Sequence, residues 1–169
     1  MYLFKNLSEF YACIHNPTVI AVDYVVDKIM DELEIQMVNK RIGLNSNSFY
    51  TPTGDFYRAW KSEITTRVGQ YFTNKVKFDG DSMTLDPNNF IHGSNYYDVN
   101  DVRDIMPDII FGGQSGDLFG EGFWTHGRDA WSPTISRINK SFGKWIIEGF
   151  KYAGFTVKKD TTSIIMDID

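Results

Sequence analysis

Residues 18–40, TVIAVDYVVDKIMDELEIQMVNK, are the stretch that decides the fold. Apolar side chains recur in it every three or four residues, which is the spacing of one face of an α-helix. These residues are Val22, Val25, Val26, Ile29, Leu33 and Met37. The carboxylates between them lie largely off this stripe: Asp23, Asp27, Asp31 and Glu34. Arg41 and Gly43 follow as helix-ending residues. The stretch therefore predicts one long amphipathic helix that packs its apolar face on a core.

A second, shorter apolar repeat with helical spacing precedes this helix, at Leu3, Leu7, Phe10, Tyr11 and Ile14. Proline has no backbone N–H, and its ring clashes with the preceding helical turn. We therefore expect Pro17 to end a first short helix, and the long helix to begin at about Thr18.

The pattern changes to that of strands after a predicted loop at 44–53. A first strand should place four apolar side chains on one face: Phe56, Trp60, Ile64 and Val68. Gly69 is expected to end it. A second strand should carry Phe72, Val76 and Phe78. Asp79-Gly80 is a typical hairpin turn and would lead to a third strand with Met83 and Leu85. These residues predict an antiparallel meander of three strands.

A C-terminal helix is predicted from Ser132-Pro133, a hydroxyl cap followed by proline at the first helical position. Its apolar stripe would consist of Ile135, Ile138, Phe142, Trp145, Ile146 and Phe150. Gly154 is expected to close the helix in the left-handed conformation. Two short strands should follow over residues 155–168.

The region between the strands and this helix has little periodicity. Asn100 is a candidate cap for a short helix through Met106, which Pro107 would interrupt. Five glycines then occur within residues 112–122, among large aromatic side chains. Such a loop cannot bury these rings locally, and adaptable aromatic side chains beside an arginine are typical of protein interfaces. We therefore predict a protein interface at Phe119, Phe123, Trp124 and Arg128, the alternative being that the rings fold back onto the chain's own core.

These elements predict an α+β fold, in which a long N-terminal helix and a C-terminal helix pack on an antiparallel sheet beside a long glycine/aromatic loop. The 169 residues suit one domain spanning residues 1–169. Its parts would be a helical segment (1–43), the strands (56–86), an extended loop region (87–131), the C-terminal helix (132–153) and the closing strands (155–168).

Charge and composition restrict the classes of partner. The chain has 17 basic and 22 acidic residues and a net charge of −5, which argues against general or sequence-specific nucleic-acid binding. A local basic strip at Lys61, Arg67, Lys75 and Lys77 stays possible. Cys13 is the only cysteine, so no intrachain disulfide or thiolate metal cage can form. No apolar run is long enough to cross a membrane, and we expect neither a signal peptide nor a membrane partner.

Catalytic motifs are weak in this sequence. His15, His92 and His126 accompany no Gly-x-Ser-x-Gly nucleophile motif, and the glycine-rich loop lacks the Gly-Lys-Ser/Thr ending of phosphate-binding loops. We therefore expect no enzyme activity and no cofactor. One alternative stays open, a metal-dependent hydrolase or nuclease built on the acidic cluster of Asp98, Asp101, Asp104 and Asp108, with His92 nearby.

Three stretches together resemble a known family. They are Tyr50-Thr-Pro-Thr-Gly-Asp-Phe-Tyr-Arg-Ala-Trp60, Asp104-Ile-Met-Pro-Asp-Ile-Ile-Phe-Gly-Gly113 and Gly122-Phe-Trp-Thr-His-Gly-Arg-Asp-Ala-Trp-Ser-Pro133. In this order, before an amphipathic helix, they are similar to the small tail-component proteins of tailed bacteriophages, the head–tail joining and tail-completion family. The order of elements agrees over residues 18–153. The acidic first helix and the enlarged region 79–122 differ from the family pattern.

The resemblance implies a structural virion protein without catalysis. Such a subunit would form a homo-oligomeric ring in the neck or at the upper end of the tail, where it joins the portal or adaptor to the tail. Its loops would contact other neck and tail proteins, and DNA would pass through a passive, acidic channel. The protein would be made and assembled in the host cytoplasm and would end in the virion.

Overall fold

A computed structural model describes residues 5–40, 54–83, 106–108, 110–112 and 127–156. In chain order it contains helices α1 (Leu7–Asn39) and α2 (Asp55–Arg58), then strands β1 (Trp60–Ser62), β2 (Thr66–Val68), β3 (Tyr71–Thr73) and β4 (Val76–Phe78), a 3-10 turn (Gly80–Ser82) and helix α3 (Trp131–Tyr152). The predicted α+β class is confirmed, with a long N-terminal helix, a C-terminal helix and a small antiparallel sheet.

Helix α1 is continuous through Pro17, so the predicted break there is wrong. Proline removes a single helical hydrogen bond, and the Thr18 hydroxyl donates to the Ile14 carbonyl at 2.7 Å in the same turn. Both sides of Pro17 are also held by the rest of the fold. His15 packs on the ring of Phe72, with centroids 5.2 Å apart, and Ala21 packs on α3. These contacts keep the two halves on one axis.

The amphipathic pattern of α1 agrees with the prediction. Four of the six stripe residues are buried, namely Val25, Val26, Leu33 and Met37, and the other two are half-buried. The four predicted outward carboxylates are exposed. At the start of the helix, the Asn6 side chain accepts the Glu9 backbone N–H at 2.9 Å and so caps the first turn.

Helix α3 packs closely on α1 at Gly149, and three of its four buried residues are small ones that the predicted stripe did not include. Its buried residues are Thr134, Ser141, Trp145 and Gly149. Of the predicted stripe only Trp145 is fully buried, and Ile135 is exposed. Small residues allow the two backbones to approach closely, so the large apolar residues lie on the sides of the contact. The Thr134 hydroxyl donates to the Ala130 carbonyl at 2.7 Å, which satisfies it in the interior.

Both ends of α3 have recognisable caps. At its start, Asp129 Oδ1 accepts the Ser132 N–H at 2.9 Å, so the capping side chain is Asp129 and the predicted cap at Ser132 is wrong. At its end, Gly154 has φ +89° as predicted. The Phe155 N–H donates to the Phe150 carbonyl at 2.9 Å, which completes a Schellman motif. Phe155 is not in a strand, and residues 157–168 lie outside the described residues.

The four strands form one irregular hairpin instead of the predicted meander. β1 pairs with β4 and β2 with β3, both antiparallel. Three residues (63–65) join β1 to β2, but only two (74–75) join β3 to β4. The first arm therefore has one extra residue, a β-bulge. The hairpin turns at Gly69, which has φ +63°.

The predicted boundaries of these strands need two corrections. Phe56 lies on α2 and not in the first strand. Asp79-Gly80 is not a hairpin turn into a further strand but leads into the 3-10 turn and a buried Met83. The Asp79 N–H donates to the Ala59 carbonyl and so continues the β1–β4 pairing up to this turn. Leu85 lies outside the described residues.

The main core joins the C-terminal half of α1 to buried residues from several later parts of the chain. Its buried members are Leu33, Met37, Phe56, Ala59, Met83, Met106, Ile110 and Ala130. Trp60 lies stacked between Phe111 and Trp131, with ring centroids 5.9 Å and 5.8 Å away. Residues 106–108 and 110–112 are helical, so helix is present on both sides of Pro107, against the prediction. Residues 100–105 lie outside the described residues.

Candidate interaction surface

The β2–β3 end of the hairpin lies along the N-terminal half of α1 with one of its faces. The Arg67 guanidinium lies 5.4 Å from the ring centroid of Tyr11, and Phe72 packs on His15. Side chains alternate between the two faces of a strand, so the neighbours of Arg67 and Phe72 must point the other way. The inner face of this hairpin is therefore occupied by α1.

The outer face of β2–β3 has only uncharged side chains: Thr66, Val68, Tyr71 and Thr73. All four are exposed; Val68 and Tyr71, which face each other next to the turn, are 62% and 75% exposed. The bulge adds Ile64, which is 85% exposed. Apolar side chains on an exposed strand face are typical of a surface that another chain covers.

The bulge fixes the orientation of the hairpin through a polar contact with α1. Thr65 is only 8% exposed, and its hydroxyl donates to the Asp23 carboxylate. The Asn74 amide nitrogen donates to the Thr65 hydroxyl at 2.9 Å. The bulge turns Thr65 inward. Its neighbour Ile64 therefore points outward, because adjacent residues of a strand face opposite sides. The exposed face is thus held in place at its base as well as along α1.

The start of α1, which lies against the inner face of the hairpin, carries further exposed apolar side chains. Phe10 and Tyr11 are more than one-third exposed, and Leu7, one turn earlier, is 70% exposed. Tyr11 joins them to the hairpin through Arg67. We define the hairpin surface as the exposed apolar side chains of these two elements, on the outer face of the hairpin and on the start of α1 beside its inner face: Leu7, Phe10, Tyr11, Ile64, Val68 and Tyr71.

The backbone of the hairpin adds a second means of contact. Among the described residues, β2 and β3 pair only with each other, so each has one edge of unpaired N–H and C=O groups. Such edges can accept a strand from another chain.

A second surface lies further along α1, where it faces the end of α3. It is an open groove lined by Ile20, Asp23, Tyr24, Asp27, Lys28, Met30, Asp31 and Tyr152. We call it the acidic groove. The rings of Tyr24 and Tyr152 lie 5.7 Å apart. Lys28 lies over the Tyr24 ring and pairs with Asp31 at 3.5 Å.

Of the predicted interface residues, Phe119, Phe123 and Trp124 lie outside the described residues. Arg128 is half-buried, and its backbone N–H donates to the Ile110 carbonyl at 2.8 Å. A β-carbon on Gly127 would be 2.3 Å from the Phe111 carbonyl oxygen. The two flanks of residues 113–126 are therefore clamped together, so the predicted interface segment starts and ends at one point beside the core.

The basic strip is largely neutralised by carboxylates and rings. Lys77 pairs with Glu63 at 3.2 Å, and Lys61 pairs with Asp79. The hydrogen bond from Lys61 is the main reason that the pKa of Asp79 lies below its ordinary value. Arg67 lies over aromatic rings. Within the described ranges, Lys75 is the member of the strip with neither an ion pair nor a ring contact.

The alternative metal site falls mostly outside the described residues, which include only Asp108 of its four carboxylates; Asp108 is exposed. His92 and His126 also lie outside them. The described part of the chain contains no group of three or more metal-ligating side chains. It also contains no helix long and apolar enough to cross a membrane.

The sequence reasoning missed the hairpin surface, although a signal for it was present. Thr66, Val68, Tyr71 and Thr73 alternate around Gly69-Gln70, as expected for a short hairpin with one uniform face. The bulge concealed this pattern, because one extra residue moves every later side chain of a strand to the opposite face.

Comparison with protein-family models, curated proteins and solved structures found no match to this chain.

Proposed function

We propose that this chain is a structural assembly protein of a tailed bacteriophage: a head–tail connector or tail-completion subunit that forms a ring at the virion neck. The observation that carries the proposal is the hairpin surface, where apolar side chains of a strand face and a helix start lie in water. An assembly subunit needs such a surface for its neighbours.

The hairpin surface offers apolar area whose burial would favour association. Burial of one large apolar side chain contributes roughly 1.5–3 kcal/mol, and Ile64, Val68 and Tyr71 are each more than half exposed. Burying these three residues in a contact would contribute several kcal/mol. That contribution would offset much of the translational and rotational freedom that two chains lose when they associate.

The surface is also presented in a fixed orientation. Thr65 is bonded to Asp23 at the base of the hairpin, and Arg67 lies on Tyr11 along its inner face. A pre-ordered element loses less conformational entropy when it docks. This is an advantage for a subunit that must join others in one geometry.

The assignment to the neck rests on the family resemblance of residues 50–60, 104–113 and 122–133. The two described flanks of residues 113–126 are clamped together beside the core, which is compatible with the contact to portal, adaptor or tail proteins that the resemblance implies for this segment. The hydrogen bond from Arg128 to Ile110 is part of that clamp.

Removal of the chain from an infecting phage tests the proposal. We expect DNA-filled heads and unjoined tails to accumulate, and a tagged copy supplied in trans to restore joined particles and to appear at the neck by electron microscopy. Joined, infectious particles formed without the chain would contradict it. A tagged copy that stays outside the particles would do the same.

A further inference from the structure

We infer that the β2–β3 hairpin of one copy of this chain docks into the acidic groove of a second copy. The inference rests on the proposed function and identifies the surfaces that join like subunits. Two observations carry it: the opposite net charges of residues 60–79 and of the groove, and the exposed apolar side chains present both at the hairpin tip and in the groove walls.

The groove combines negative charge with apolar surface. Three aspartates line it against one lysine, and Lys28 is already paired with Asp31. Among the described residues, Asp27 has no ion pair and is exposed. Ile20, Met30 and the two tyrosines supply apolar walls, and Tyr152 is 76% exposed.

The hairpin has the complementary properties. Residues 60–79 contain four cations, Lys61, Arg67, Lys75 and Lys77, against two carboxylates, Glu63 and Asp79, so this segment has a net charge of +2 even though Lys61 and Lys77 are paired. Lys75 is exposed and has no ion pair among the described residues. Val68 and Tyr71 present their apolar side chains at the tip. Docking would place Val68 and Tyr71 against Tyr24 and Tyr152 of the second copy. It would also bring the Lys75 ammonium near the Asp27 carboxylate.

The hairpin cannot fill the groove of its own chain. Its base is fixed at Asp23, and it extends from there towards the start of α1, where Phe72 reaches His15 and Arg67 reaches Tyr11. The groove extends in the other direction, from Ile20 to Asp31 and Tyr152. A second copy must therefore supply the hairpin. Because the contact joins two different surfaces, it can be reciprocated in a two-fold dimer or repeated around a ring.

Disulfide trapping tests this contact directly. In a Cys13→Ser background, Tyr71→Cys chains are mixed with chains of different mass that contain Lys28→Cys, and both are oxidised mildly. We expect a mixed disulfide dimer in high yield. The matched control replaces Lys28→Cys by Val38→Cys, which is also exposed on α1 but outside the groove. A yield equal to that of the control would overturn the inference.

Charge reversal gives a second, independent measurement by sedimentation equilibrium. Lys75→Glu or Asp27→Lys alone should each weaken self-association by about fivefold, the scale of an exposed ion pair, and a mixture of the two variants should restore it. A chain that is monomeric at every concentration would overturn the inference, as would variants that associate like the unmodified chain.

The two proposals fail in distinguishable ways. If trapping fails but the tagged chain still appears at the neck, the hairpin–groove contact is wrong and the proposed function stands. If trapping succeeds but phage lacking the chain still joins heads to tails, the contact stands and the assignment to the neck is wrong.

Discussion

Gly149 on α3 lies directly against the backbone of Ala21 on α1. A β-carbon at Gly149 would be 2.8 Å from the Ala21 carbonyl oxygen and 2.9 Å from its Cα. Backbone atoms cannot move aside as a flexible side chain can, so the distance between the two helices depends on the absence of a side chain at this position. Since α1 also supports the hairpin, this contact links the helix pair to the candidate interaction surface.

Gly149→Ala should destabilise the protein by about 1–3 kcal/mol, the cost of overfilling a packed interior. Gly143→Ala is the matched control, because it lies on the same helix with nothing within 4 Å of the added β-carbon. Alanine is the better helix former, so the control should gain about 0.5–1 kcal/mol. Urea denaturation midpoints measure both changes. Equal effects of the two variants would show that the helices are not in close contact at Gly149.

Gly127→Ala should separate the two flanks of residues 113–126, because its β-carbon would meet the backbone of Phe111 and Gly112 at 2.3–2.7 Å. We expect faster hydrogen exchange of the Arg128 amide, which donates to Ile110, and a lower free energy of unfolding. Gly112→Ala, across the same contact, has open space around its β-carbon and should leave that exchange rate nearly unchanged. Retained protection of the Arg128 amide in Gly127→Ala would refute the clamp.

The capping carboxylate of Asp129 should make the stability of α3 depend on pH. The hydroxyl and the backbone N–H of Ser132 both donate to this carboxylate and hold the pKa of Asp129 below its ordinary 3.8. A lowered pKa in the folded state stabilises the protein above the unfolded-state pKa, and this contribution is lost as the pH falls through the folded-state value. Asp129→Ala should therefore cost about 0.5–2 kcal/mol near neutral pH.

The difference in unfolding free energy between Asp129→Ala and the unmodified chain should shrink as the pH falls below about 3.8. Asp129→Asn is the control, since it keeps an acceptor oxygen without the charge and should cost only a few tenths of a kcal/mol. Denaturation curves at pH 7 and at pH 3 measure the change. A difference that is constant over this range would exclude the carboxylate as the origin of the effect.

Val68→Thr combined with Tyr71→Thr should abolish or strongly weaken assembly while the monomer stays folded. Both side chains are largely exposed, so their loss should change the free energy of unfolding by less than about 0.5 kcal/mol, and threonine keeps the strand propensity. Ile35→Gln with Val38→Gln removes comparable exposed apolar groups at the far end of α1 and should leave assembly intact. Size-exclusion chromatography with light scattering, together with particle complementation, distinguishes these outcomes.

Phe123→Ala combined with Trp124→Ala tests the interface that the sequence predicts in the glycine-rich region. We expect particle assembly to fail while the free energy of unfolding stays close to that of the unmodified chain, as for aromatic anchors that contact a partner. A loss of several kcal/mol would instead assign these rings to the chain's own core. Thermal denaturation of the variant and complementation of the phage are the two measurements.

Local signals in the sequence were sufficient for several parts of this fold. The stripe from Val22 to Met37 is buried or half-buried, and the carboxylates between are exposed, because a helix face depends only on spacing within a few turns. Gly154 closes α3 in the left-handed conformation, because the Schellman motif is complete within six residues. The turn at Gly69 follows in the same way from a conformation that glycine adopts without strain.

Tertiary structure decided the features that depend on distant residues. Pro17 stays inside α1 because contacts made by His15 and Ala21 hold the helix on both sides of it. The bulge at 63–65 depends on the bond from Thr65 to Asp23, which are 42 positions apart. The sequence by itself determined the two long helices and the face of α1 that is turned to the core. Packing between remote segments determined the register of the hairpin and the side chains left exposed, because both depend on distances that no local pattern contains.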